Sequence, residues 1–89
     1  MIVRRRVVVT GRVQGVGFRY AVSERARTRG VAGWVRNLSS GQVEAVFEGE
    51  VGAVEAMVGY CRRGPLGASV DDVRVTTETP AGEAGFSAG

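Results

Sequence analysis

The chain has 89 residues, 44% apolar and 24% charged, with a formal net charge of +3; this suits one small domain over residues 1–89 and excludes disorder by apolar depletion. A single cysteine, Cys61, and no histidine exclude an internal disulfide, the usual zinc sites and Cys/His or Ser/His catalytic pairs. No apolar run approaches the roughly 18 residues of a membrane span, and no signal-peptide core follows the first arginines, so a cytoplasmic protein is expected.

Charge is unevenly spread along the chain. Residues 1–37 hold nine arginines against one acid, Glu24, whereas residues 38–89 hold three arginines against eight acids. Genome composition is the plainer cause, because charge asymmetry says little about fold. The functional cause would be an anionic ligand or nucleic acid met by the N-terminal half.

Residues 3–10 alternate, with Val7 and Val9 on one side and Arg4, Arg6, Val8 and Thr10 on the other. That is a half-buried strand whose arginines are expected in solvent. Residues 11–19 then read G-R-V-Q-G-V-G-F-R. Their three glycines permit sharp turning and leave backbone N–H groups uncovered. The segment lacks the Gly-Lys-Ser/Thr ending of a P-loop and the third glycine of the dinucleotide fingerprint. As a glycine-rich loop it is equally an anion cradle or a structural turn.

Phe18, Ala21, Val22 and Ala26 recur at helical spacing and Gly30 follows, so the spacing predicts a helix over 18–29. Arg19 falls in its first turn, where the helix dipole opposes a cation by about 0.3–1 kcal/mol unless an anion stands in front. Residues 32–38 form a second strand, with Trp34 assigned to the core. A turn at Ser39–Gly41 leads into a third strand over 42–48, with Val43, Ala45 and Phe47 on one face and Glu44, Val46 and Glu48 on the other. By spacing alone, Asn37 at the end of the second strand reads as a turn residue.

Val51, Val54, Met57, Val58 and Cys61 define a second helix over 51–62, stopped by Gly64 and Pro65. Residues 70–78 are a fourth strand, with Val73, Val75 and Thr77 on one face. The tail from Pro80 to Gly89 is expected to fray or to add a short fifth edge segment anchored by Phe86. Strand, helix, strand, strand, helix, strand is the order of the α+β ferredoxin-like sandwich, an antiparallel four-stranded sheet with both helices on one face. Many unrelated functions share that fold.

G-R-V-Q-G-V-G-F-R at 11–19, followed by G-W-V-R-N at 33–37, resembles the paired signatures of the acylphosphatase family. Gly41-Gln42-Val43-Glu44, Glu48-Gly49 and Arg63-Gly64-Pro65 with Ala68 and Val70 extend the similarity over about residues 5–79. The resemblance implies hydrolysis of a small-molecule acyl phosphate to a carboxylate and inorganic phosphate, with no metal or other cofactor. It also implies that Arg19 holds the phosphoryl group and Asn37 positions the attacking water. Backbone N–H groups over Val13, Gln14, Gly15, Val16, Gly17 and Phe18 complete the cradle, with Gln14 bracing the loop and Arg12 and Arg36 as surface residues. A monomer that binds neither nucleic acid nor membrane is expected.

The physical case for these residues is independent of the resemblance. Phosphoryl transfer spreads charge over equatorial oxygens, so fixed donors supply much of the catalysis, and the arginine fork suits them better than lysine. Two rival readings are weaker. The acylphosphatase-like module of hydrogenase-maturation carbamoyltransferases belongs to longer chains with zinc-binding cysteines, and RNA recognition needs exposed aromatics on the sheet. The chain departs from the family at its ending, Gly85-Phe86-Ser87-Ala88-Gly89, where a fuller final strand is usual.

Overall fold

The alternation of the first strand extends further than its apolar pattern: β1 spans Ile2–Arg12 in the computed structural model, which describes residues Met1–Gly89. It is followed by α1 (Phe18–Thr28), β2 (Ala32–Asn37), β3 (Val43–Glu50), α2 (Val51–Cys61), β4 (Ser69–Glu78) and β5 (Phe86–Ala88). Strand order is β4-β1-β3-β2-β5. β1 pairs antiparallel with both β3 and β4, and β2 pairs antiparallel with β3. This is the expected ferredoxin-like sandwich.

The period of two that sends Val7, Val9, Val35, Val43, Ala45 and Phe47 to one face of the sheet sends them to the helices. There they meet Phe18, Val22 and Ala26 of α1 and Val54, Met57 and Cys61 of α2, in one cluster of 18 buried residues. Burial pushes the Cys61 thiol up to about 12, so it stays protonated and serves as packing.

The tail does not fray. Residues Phe86–Ala88 pair in parallel with β2 from Gly33 to Val35, which makes the sheet five-stranded and not wholly antiparallel. Phe86 is 8% exposed and its ring stacks on Phe47 at 5.9 Å. Gly33 N–H donates to the Gly85 carbonyl at 2.9 Å, and Gly89 N–H to the Val35 carbonyl at 2.8 Å. One buried ring and a few ladder bonds thus hold this short edge strand.

The opposite face of the sheet corrects two further expectations. Arg4 is not in solvent but 8% exposed. It donates to Glu78 at 2.9 Å, Glu48 at 3.0 Å and Glu83 at 3.1 Å. Arg6 donates to Glu78 and Glu44, each at 2.7 Å, and Arg36 to Glu44 at 2.8 Å. Strand register is the cause: Arg4 lies opposite Glu48 on one side and Glu78 on the other, and Arg36 lies opposite Glu44. The charge asymmetry along the chain is therefore partly cancelled in space by these pairs. Trp34 is on this face too, because Val35 takes the inward position. It is half-buried beneath Arg36 at 4.9 Å and Arg6 at 5.5 Å, a cation–π contact instead of a core position.

Candidate functional site

The loop between β1 and α1 is anchored by side chains and left bare between them. Val13 and Phe18 are 1% and 2% exposed and Val16 packs against the same core, whereas Gly15 and Gly17 face solvent. Those two glycines have φ of 74° and 77°, with open space where a side chain would stand. Their requirement is conformational, since the left-handed region costs an L-residue about 1–2 kcal/mol.

Gly17 is the N-cap of α1, and no side chain caps the helix or places an acid in its first turn. The first N–H groups of α1 have no intrahelical acceptor by the geometry of a helix. They point out of the end that carries the positive pole of the dipole. Gln14 ties this loop to the β2–β3 turn: its Nε2 donates to the Leu38 carbonyl at 2.8 Å and the Gln42 carbonyl at 2.9 Å. Gln42 Nε2 in turn donates to Thr10 Oγ1 at 2.9 Å.

That brace brings the end of β2 to the loop. Val13, Gly15, Gly17, Phe18, Arg19, Tyr20 and Asn37 line one cavity of about 180 Å³. Arg19, in the first turn of α1, and Asn37, at the last position of β2, are thus on one site although a whole helix separates them in sequence. Gln14 and Val16 support the loop from beneath and do not line the cavity. A larger concavity of about 890 Å³ opens between the helices around Glu24, Arg25 and Tyr60, away from these residues.

Two features had no signal in the sequence. Arg19 Nη1 donates to the carbonyl of Gly89, so the tail reaches the site. It is led there by Glu48, whose carboxylate accepts the N–H groups of Ala81 at 2.9 Å, Gly82 at 2.8 Å and Glu83 at 3.1 Å. Those bonds, the Ala81 N–H foremost, outweigh burial and with Arg4 hold the Glu48 carboxyl down at about 2. The second is Tyr20, an exposed residue on the polar side of α1 that helical periodicity passes over.

A bare loop feeding an uncapped helix, with an arginine and a carboxamide lining the same cavity, makes a site able to receive an anion on a ferredoxin-like sandwich. More narrowly, the chain belongs to the acylphosphatase family, whose profile matches residues 5–88. It is 55% identical over 85 residues to an acylphosphatase of Trichormus variabilis, covering 96% of this chain and 84% of that one. The crystal structure of acylphosphatase from Bacillus subtilis superposes with a TM-score of 0.92 at 40% identity, covering 99% of this chain and 98% of that one. Full-length HypF in its phosphate- and nucleotide-bound form is similar over 99% of this chain and 12% of its own, with a TM-score of 0.90 and 30% identity. The chain is an enzyme of the acylphosphatase class, hydrolysing acyl phosphates.

Proposed function

We propose that Arg19 and the N–H groups of the loop hold the phosphoryl group of the substrate while Asn37 orients the attacking water. The observation that carries this reading is the convergence of Arg19, Asn37 and the glycine loop on one cavity. An asparagine amide can accept from water and donate to phosphate, but it is no strong base. The water oxygen bonds to phosphorus, the bond from phosphorus to the carboxyl oxygen breaks, and its electron pair leaves with the carboxylate. The water's proton passes to a phosphoryl oxygen, so an acyl phosphate dianion and water become a carboxylate and dihydrogen phosphate. A carboxylate is a good leaving group, so the loose transition state needs charge stabilisation more than base strength.

On the sheet face, Trp34 already carries Arg36 and Arg6, which speaks against a stacking platform for RNA. Hydrolysis of benzoyl, acetyl and carbamoyl phosphate is the test, with inorganic phosphate as inhibitor. Turnover with competitive inhibition by phosphate is expected; turnover without such inhibition would overturn the cradle's role.

A further inference from the structure

We propose that Tyr20 forms the wall that receives the acyl group, and that this enzyme prefers acyl phosphates whose acyl part is aromatic. The inference rests on the reading of Arg19 and the loop as the phosphoryl pocket. The cavity of about 180 Å³ has room for about six water-sized groups. A phosphoryl group and the adjoining carboxyl atoms fill it, so the rest of the acyl group must lie across the rim.

Only one residue of the cavity offers that rim an apolar surface. Gly15 and Gly17 have no side chain, Val13 and Phe18 are turned into the core, and Arg19 and Asn37 are polar. Tyr20 is 72% exposed. It is also the one aromatic ring of this chain left exposed: Phe18, Phe47, Tyr60 and Phe86 are buried and Trp34 is half-buried beneath two arginines. Its place in the first turn of α1 matters as well. Side chains of a helix lean toward its N-terminus, the end at which the loop and this cavity lie. A flat apolar surface beside a phosphoryl pocket discriminates between acyl groups by stacking, while leaving the anion contacts common to all of them.

The test compares kcat/KM for benzoyl and acetyl phosphate in the wild type, Tyr20→Phe and Tyr20→Ala, with the inhibition constant of inorganic phosphate measured for each. Tyr20→Ala is expected to lower the benzoyl-to-acetyl ratio about three- to tenfold, Tyr20→Phe to keep it, and phosphate inhibition to stay as in the wild type. An unchanged ratio in Tyr20→Ala, with hydrolysis intact, overturns the acyl wall and leaves the phosphoryl pocket standing. A fall in the ratio that comes with weakened phosphate inhibition also overturns it, because the ring would then be shaping the anion site itself. A wild type that hydrolyses neither substrate overturns the pocket and the wall together.

Discussion

Arg19→Lys keeps the positive charge and removes the fork, which separates the two contributions of this residue. Arg19 already spends one N–H of Nη1 on the Gly89 carbonyl, and its other guanidinium N–H groups remain for a phosphoryl group. A lysine ammonium is a single centre on a different stem and cannot present the same planar pair. Losing one charge-assisted hydrogen bond costs about 1.5–3 kcal/mol, equivalent to about 10- to 150-fold in kcat/KM. Arg19 is only half-buried, so screening by water places the expected loss in the lower part of that range, about 10- to 30-fold. The assay is benzoyl phosphate hydrolysis followed by the loss of ultraviolet absorbance, with the inhibition constant of phosphate measured in parallel. A lysine variant with the wild-type kcat/KM would refute the argument, because charge alone would then account for everything Arg19 does.

Asn37→Ala should lower kcat about 100-fold, the order expected for a misplaced reactant, and weaken phosphate inhibition much less; steady-state kinetics with an unaltered kcat would remove Asn37 from the reaction. Gly17→Ala forces a side chain to φ 77° and should cost about 1–2 kcal/mol, lowering Tm by about 5–15 °C; a calorimetric Tm equal to that of the wild type would show that the loop relaxes freely. Acid should loosen the tail. The Glu48 carboxyl is held at about 2 against an ordinary 4.5, so its contribution is complete above about pH 4.5 and is lost as pH falls toward 2. Arg6 first and Arg4 next also hold the Glu78 carboxyl below its ordinary value, with the same sign. Thermal melts from pH 7 to 2 should show Tm falling below about pH 4.5, with a shallower fall in Glu48→Gln; parallel curves for the two proteins would count against Glu48 as the anchor.

Much of this structure is written locally in the chain. Val7 and Val9, or Val43, Ala45 and Phe47, state by alternation which face is buried. Phe18, Val22 and Ala26 do the same for a helix that ends one residue before the expected Arg29. The loop stands out in the sequence by its closely spaced glycines and Arg19 by standing where the dipole of α1 disfavours a cation, and the structure brings both to one cavity. Arg4 and Trp34 depart from the surroundings their local pattern predicts because their partners are set by strand register. Nothing near Arg4 in sequence foretells Glu48, Glu78 or Glu83, and Trp34 takes the open face only because Val35 takes the inward one.

The sequence by itself determined the order of the two helices and first four strands, the buried faces of β1, β3 and both helices, and the two signature segments, since these depend on local sterics and on the periods of strand and helix. Only the tertiary structure decided which residues meet. Gln14 reaches across to the β2–β3 turn and draws Asn37 to the loop, Glu48 holds residues 81–83 over the sheet, and the end of the tail comes to Arg19. Tyr20 acquires its place in the same way, as an exposed helix residue whose neighbours line one cavity only when β2 closes against the loop. Contacts of this kind carry no local pattern, because the energy that selects them comes from packing and hydrogen bonds between segments far apart in the chain.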